Sequence, residues 1–271
     1  MDKTLLQTSR RSALWFMGQA TLFLAGAGAV RAASGWTAAA GQQRYAEPVL
    51  PGGTLAELSQ RLSSAPRRRG FHTVPLVVTS PDLWDHEAAA EVLAYKYRSL
   101  QVWECTEIAA PWINLMREAI NGQVFSHGNP EFLAVAAVHG TAHLALFGQT
   151  AWDKYDLPSL TGGKFSTNSF VVEKPGVSPR DDLQDLNGFY GPNNSNIRSL
   201  QRRGAVFLGC HDSIHAIART LHSLPEHTAT PADVIAAELT NSLVPGTVLV
   251  PSVVAFLVEL QRAGFTYSKG N

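Results

Sequence analysis

The chain has 271 residues, of which 45% are hydrophobic, and its 22 basic residues are balanced by 22 acidic ones. This balance leaves no basic field that would attract nucleic acid, and the hydrophobic fraction is sufficient for one ordinary core. Two cysteines, Cys105 and Cys210, are too few for a disulfide scaffold. Composition therefore indicates a globular protein that does not bind nucleic acid.

Residues 1–32 have the pattern of an export signal. Arg10 and Arg11 precede a mostly apolar run over residues 14–30, and a small-residue cleavage pattern, Val-Arg-Ala, follows at residues 30–32. Paired arginines favour the twin-arginine route, which carries folded proteins to the periplasm. A membrane anchor or a basic tail is the alternative, but the apolar run is short and rich in glycine, whereas a span needs about 20 apolar residues.

Removal of this signal changes the charge balance. It takes away four basic residues and one acidic residue, which leaves 18 basic and 21 acidic residues in the mature chain. No other segment approaches the length of a membrane span. The sequence therefore predicts a periplasmic, mildly acidic protein with no stable membrane span after cleavage.

Residues 33–98 are predicted to form an N-terminal tether with short elements. Thr54 is expected to cap the first helix. The run Pro-Arg-Arg-Arg at residues 66–69 could bind an anion, although an exposed, solvated loop is the simpler interpretation. The predicted elements are a helix at residues 54–62, an edge strand at residues 72–80 and a helix at residues 85–94.

Residues 99–271 alternate short apolar strands with amphipathic helices. Strands are predicted at residues 101–105, 132–138, 205–208, 247–250 and 265–268. Helices are predicted at residues 108–122, 141–147, from 212 onward, at 230–243 with Thr230 as N-cap, and at 253–263. This alternation predicts a three-layer α/β fold, with a mostly parallel sheet of four to five strands and helices on both faces, as in flavodoxin-like folds.

Residues 152–196 interrupt this alternation. They are rich in turn-forming residues but also contain several aromatic residues. A long segment of this kind inside a compact domain is typically a lid or a binding loop. We expect it to fold over the carboxyl edge of the sheet.

The strongest candidate for chemistry is the junction at Cys210. A short apolar strand ends there and a helix begins near Asp212, so the thiol is predicted to lie at a helix N-terminus. The partial positive charge of that terminus favours the thiolate, and His211 alongside could add to the effect. Cys210 and His211 are thus the predicted catalytic residues, with Cys210 as an accessible, reactive thiol.

Histidines surround this cysteine. His211 and His215 lie four residues apart on one helix face, and His139 and His143 repeat that spacing after another strand. Thiolate and imidazole suit zinc or copper, so His139, His143, Cys210 and His215 form a candidate metal site. Alternatively, His139 and His215 are core or capping residues, each hydrogen-bonded to a backbone carbonyl. Neither histidine pair encloses an acid that could serve as a metalloprotease base.

Cys105 is open to three interpretations. It is a small buried hydrophobe, a disulfide partner of Cys210, or a resolving thiol. An oxidising periplasm makes the disulfide credible, provided that the two α-carbons lie within about 7 Å.

The order of elements and several short motifs resemble the DsrE/DsrF-like sulfur-relay family, specifically its exported relatives. The resemblance covers about residues 100–269. The matching motifs are Val-Phe-Leu-Gly-Cys at 206–210, Leu-Val-Pro-Gly at 243–246, Val-Pro at 250–251 and Gly-Phe-Thr-Tyr at 264–267. The resemblance implies that Cys210 carries sulfur as a persulfide and exchanges it with a sulfur-carrying or redox partner protein.

Two classes of function therefore remain open, and with them the question of whether the chain is an enzyme. The first is a thiol protein, a sulfur carrier or redox partner, acting through Cys210. The second is a non-catalytic module that binds a metal or a partner through the His/Cys cluster at the carboxyl edge of the sheet. No cofactor is expected apart from zinc or copper in the second case. A homo-oligomer is compatible with either class.

Overall fold

A computed structural model describes residues 53–173 and 196–270 of the chain. The predicted signal at residues 1–32 lies outside this range, and so do residues 174–195 of the predicted lid. All the described residues belong to one compact unit, Tyr45–Asn271.

Five strands form the central sheet. They are β1 (Leu100–Cys105), β2 (Leu133–Val138), β3 (Val206–Cys210), β4 (Val248–Val250) and β5 (Thr266–Lys269). All neighbouring strands are parallel, in the order β4-β3-β2-β1-β5. The central strand β2, with the sequence Leu-Ala-Val-Ala-Ala-Val, is buried along its whole length, as a parallel strand covered on both faces must be.

Helices cover both faces of the sheet. The α-helices in the described residues are α1 (Gly53–Ser64), α2 (His86–Ala94), α3 (Trp112–Asn121), α4 (Gln149–Lys154), α5 (Leu157–Leu160), α6 (Ile197–Arg202), α7 (His211–His222), α8 (Ala232–Asn241) and α9 (Val253–Arg262). One apolar core joins α3, α7 and α8 to the first face, and another joins α1, α2 and α9 to the second face. The predicted three-layer α/β fold is confirmed.

The order of the strands explains this division of the helices. From β1 to β4 each strand is laid beside the one before it, whereas β5 returns to the other side of β1. Connections between parallel strands are right-handed. The connection from β4 to β5 runs across the sheet in the opposite direction to the earlier ones, so its helix, α9, lies on the opposite face. The direction reverses between β1 and β5, which makes the carboxyl edge there the topological switch point.

Residues 72–80 form a loop, so the predicted edge strand is wrong. Pro75 cannot donate to a strand ladder, and of the apolar residues nearby only Val74 is buried. Leu76 and Val77 are exposed. The apolar run resembles a strand in sequence, but its side chains do not pack on one face.

Two predicted helix caps also differ from the structure. Thr54 lies inside α1, where its amide and hydroxyl donate to the two carboxylate oxygens of Glu131, at 2.8 and 3.0 Å. The cap of this helix thus comes from a residue far along the chain. Helix α8 begins at Ala232 with Pro231 in the capping position, so Thr230 is not its N-cap.

Two segments form other structures than those predicted. The helix predicted at residues 141–147 is a 3-10 helix, Gly140–Leu146. The arginines at residues 67–69 form neither a solvated loop nor a free anion patch, because each has partners within the fold. Arg67 donates to carbonyls at the end of α1, Arg68 pairs with Glu87, and Arg69 contacts Asp85.

The described part of the predicted lid, residues 152–173, contributes to the first-face core. Trp152, Tyr155, Leu157 and Phe170 are buried there. Trp152 also donates its indole N–H to the carbonyl of Leu144, at 3.0 Å. Among the described residues no helix is long and apolar enough to cross a membrane.

Candidate functional site

Cys210 ends β3, and α7 begins at the next residue, as the sequence predicts. Its side chain points to the second face, where it is 2% exposed among the valines of β4 and the start of α9. The backbone N–H of Val253, the first residue of α9, donates to Cys210 Sγ at 3.4 Å. The thiol is therefore held at a helix start, but it is not the accessible thiol that the sequence predicts.

The two cysteines cannot form a disulfide in this fold. Cys105 belongs to the first-face core and Cys210 to the second-face core. Strand β2 lies between the strands that carry them. In the sheet register, Cys105 of β1 is opposite Val138 of β2, and Val138 is opposite Gly209 of β3, the residue before Cys210. Two strand spacings amount to about 9.6 Å, beyond the roughly 7 Å that a disulfide spans between α-carbons. Both cysteines are free.

Cys105 has the surroundings of a small buried hydrophobe. Its thiol is fully buried and donates to the carbonyl of Trp103 at 3.3 Å. Burial raises the pKa of the Cys105 thiol well above its ordinary value, and the nearby carboxylate of Glu104 adds to the effect. Of the two sulfurs, then, Cys105 acts as a hydrogen-bond donor and Cys210 as an acceptor.

His211 and His215 lie together on α7, with their ring centroids 4.7 Å apart. His211, a predicted catalytic residue, donates from Nε2 to the carbonyl of Pro75 at 2.7 Å. Burial lowers the pKa of His211 and lowers the pKa of His215 to about 4, so both rings are neutral near pH 7. Within the described residues, no hydrogen bond joins either ring to Cys210 Sγ.

His143 lies deep in the first-face core. Its ring stacks at a tilt on Phe147, with the centroids 5.0 Å apart, and its Nε2 lies 3.2 Å from where a Cβ on Gly209 would stand. Neither ring nitrogen has a hydrogen-bond partner among the described residues. Burial lowers the pKa of His143 to about 3.

His139 takes part in a polar cluster at the switch point. Its Nε2 lies 3.0 Å from Glu104 Oε1, at the end of β1, and Tyr267 of β5 donates its hydroxyl to the other carboxylate oxygen. The hydrogen bond from Tyr267 and then that from His139 hold the pKa of Glu104 below its ordinary value. By accepting this hydrogen bond, Glu104 fixes the orientation of the imidazole, as carboxylates do for catalytic and metal-binding histidines.

The four predicted metal ligands do not gather in one place. Cys210 points to the second face and His143 is enclosed in the first-face core. His139 is hydrogen-bonded to Glu104, and His215 lies beside His211 on α7. In residues 53–173 and 196–270, no group of three or more His, Cys, Asp or Glu side chains is arranged to hold a metal ion. The described residues therefore offer no zinc or copper centre.

Three residues of the site, Glu104, Tyr267 and Val253, were not predicted as site residues from the sequence. Glu104 could have been predicted as a site residue, because it is the one charged residue in strand β1 and directly precedes Cys105 at the end of that strand. Tyr267 and Val253 carry no such signal. They matter only because β5 returns beside β1 and the start of α9 meets the end of β3.

Comparison with models of known families, with curated proteins and with solved structures finds no match to this chain. The resemblance to the DsrE/DsrF-like family stays a prediction that rests on the order of elements and the short motifs.

Proposed function

We propose that the protein is a thiol protein that carries sulfur, or exchanges electrons with a partner, through Cys210. One observation carries the proposal: the amide of Val253 donates to Cys210 Sγ at 3.4 Å. Val253 is the first residue of α9, so the start of that helix faces the sulfur; Cys210 also occupies the capping position of α7, although its side chain makes no cap bond there. Helix N-termini favour negative charge, and an anionic sulfur is the reactive form of a thiol or a persulfide.

Cys105 provides the contrast within the same molecule. Its thiol donates to a carbonyl, an arrangement that favours the protonated form, and burial raises its pKa. The surroundings of Cys210 present an N–H to the sulfur instead. Cys105 is thus a hydrogen-bond donor and Cys210 a hydrogen-bond acceptor. For this reason we assign the chemistry to Cys210.

The chemical step needs only a donor of sulfane sulfur. The Cys210 thiolate attacks the outer sulfur of a persulfide, a new S–S bond forms on Cys210, and the S–S bond of the donor breaks to release its thiolate. In the redox form of the proposal, the thiolate attacks a partner's disulfide, and one partner thiolate leaves as a mixed disulfide forms. Neither step needs a metal or a bound cofactor.

Access to the thiol governs the rate in this proposal. Because Cys210 is 2% exposed, a donor reaches it when the surrounding chain opens locally. The proposal also includes export by the twin-arginine route. Its basis is Arg10, Arg11 and the cleavage pattern, all of which lie outside the described residues.

The test is sulfur transfer to the full chain. After incubation with glutathione persulfide, intact-mass spectrometry should detect one added sulfur (about 32 Da) in wild type and in Cys105→Ser, but none in Cys210→Ser. Iodoacetamide should modify Cys210 slowly, and a low, non-denaturing concentration of urea should speed that reaction as local opening becomes more frequent.

Cys105→Ser is a matched control, since both substitutions replace a buried, free thiol by a hydroxyl. An added sulfur that persists in Cys210→Ser would contradict the proposal. So would the absence of any adduct in wild type under conditions where iodoacetamide modifies Cys210.

A further inference from the structure

A cleft of about 500 Å³ lies between α7, the start of α8 and the loop at residues 73–76. It is separate from the Cys210 thiol, which points to the second face. Its volume is within the range of about 300–1,000 Å³ that is usual for small-molecule sites. Its walls include Val74, Pro75, Leu76, His215, Arg219 and Asp233.

His215 supplies the first sign of a ligand. It forms part of the wall of the cleft and is only 4% exposed, yet its Nε2 has no hydrogen-bond partner among the described residues. Nε2 itself is closed to solvent. A buried polar atom without a partner costs about 1–3 kcal/mol, so a turn of the ring that brings Nε2 to the cleft lets a bound molecule restore a hydrogen bond.

Two opposite charges supply the second sign. Arg219 of α7 and Asp233 of α8 both line the cleft and are exposed. In the part of the chain that the structure describes, Arg219 has no ion pair, and Asp233 makes only a local hydrogen bond, from the amide of Val234 to Oδ1 at 3.0 Å. The cleft thus presents a cation and an anion that are not paired with each other.

The remaining wall is apolar. Val74, Pro75 and Leu76 lie on one side, and Leu76 is 51% exposed, so an apolar group placed against it would gain burial. A simple carboxylate would meet Arg219 but be repelled by Asp233, and a simple amine would have the reverse difficulty. A molecule that carries both charges and an apolar body complements all three features.

We propose that this cleft binds a small apolar zwitterion, namely an α-amino acid with an aliphatic side chain. Its carboxylate pairs with Arg219 and its ammonium with Asp233. The aliphatic group lies against the loop at Leu76. Once the ring of His215 turns toward the cleft, its Nε2 meets the ammonium or the carboxylate, because a neutral imidazole nitrogen is either an acceptor or a donor. This site is independent of the proposed chemistry at Cys210.

The test compares three related molecules by NMR titration of the full chain. They are L-leucine, 4-methylpentanoate, which lacks the ammonium, and 3-methylbutylamine, which lacks the carboxylate. Leucine should bind about fivefold more tightly than either analogue, since an exposed ion pair contributes up to about 1 kcal/mol. The ring signals of His215 should shift as leucine saturates the site.

Two variants assign the charges. Arg219→Gln should weaken leucine binding about fivefold but strengthen the binding of 3-methylbutylamine, because it removes the cation that repels the amine. Asp233→Asn should weaken leucine binding but strengthen that of 4-methylpentanoate, because it removes the anion that repels the carboxylate. Arg262→Gln and Asp153→Asn, which alter exposed residues outside the cleft, are the matched controls. Equal affinity for all three molecules, no saturable shift at His215 up to about 20 mM leucine, or leucine binding that is unaffected by both variants would overturn the proposal.

Discussion

Gly140 is the residue where the backbone of the candidate site is most constrained. It follows His139, has φ +58°, and a Cβ there would lie 2.5 Å from the carbonyl oxygen of Thr106. Its N–H donates to Ser213 Oγ at 3.3 Å. The left-handed conformation and the close approach of another backbone both require glycine at this position.

Gly140→Ala should therefore destabilise the protein more than an alanine in a left-handed turn usually does. Gly128 is the matched control, with φ +63° and nothing within 4 Å of the point where a Cβ would stand. We expect Gly128→Ala to lower the free energy of unfolding by about 1 kcal/mol, and Gly140→Ala by at least about 2 kcal/mol more. Urea denaturation at pH 7 measures both, and equal losses would contradict the clash with Thr106.

Among the elements, strand β4 lies at the edge of the sheet, and its outer hydrogen-bonding groups pair with the single residue Asp85 and not with another strand. Asp85 N–H donates to the carbonyl of Leu249 at 3.0 Å, and Leu249 N–H donates back to Asp85 Oδ2 at 2.8 Å. The other carboxylate oxygen accepts the N–H of Arg68 at 2.7 Å, and the guanidinium of Arg69 lies 3.3 Å away. Asp85 occupies the capping position of α2, but its side chain makes no cap bond there.

Asp85→Ala removes a fully buried carboxylate, and it leaves Arg69 without its ion-pair partner and the N–H of Leu249 without its acceptor. The loss in unfolding free energy should be about 3–5 kcal/mol, as for other buried charges that lose a partner. Asp82→Ala, three residues earlier and exposed, should cost no more than about 0.5 kcal/mol. Urea denaturation of the two variants checks this, and a loss below about 1 kcal/mol for Asp85→Ala would show that β4 does not depend on this carboxylate.

For the whole molecule, buried histidines couple stability to pH. Burial lowers the pKa of His143 to about 3 in the folded chain, against about 6.5 when it is unfolded. Between those values the unfolded chain binds more protons than the folded one, so stability falls as pH falls. His143 alone should account for a loss of about 2 kcal/mol between pH 7 and pH 5. His215 and His211, whose pKa values are also lowered, add to it.

His143→Leu should remove that share of the pH dependence, because leucine does not titrate. At pH 7 it should not destabilise the protein, since the imidazole nitrogens that it replaces are buried without partners among the described residues. The measurement is urea denaturation at pH 7 and pH 5 for wild type, His143→Leu and the exposed control His127→Leu. An unchanged difference between the two pH values in His143→Leu would contradict the assignment.

The sequence by itself determined the elements of this fold and their general arrangement. Apolar runs of strand length alternate with helical patterns, and a helix between two strands is the usual connection of a parallel pair, so the three-layer α/β fold followed from local pattern. The junction of β3 with α7 at Cys210 was predictable for the same reason. The edge strand predicted at residues 72–80 was wrong, because whether an apolar run is buried depends on its neighbours in the folded structure, which the sequence of the run does not specify.

Only the tertiary structure decided which residues meet. Cys105 and Cys210 both end strands, yet they lie on opposite faces, because the direction of a side chain depends on its position in the pleat, and strand β2 lies between them. Glu104 meets His139 and Tyr267 because β5 returns beside β1. Spacing along the chain determines local conformation, but the partner of a side chain across a sheet depends on strand order and register, which arise only as the whole core packs.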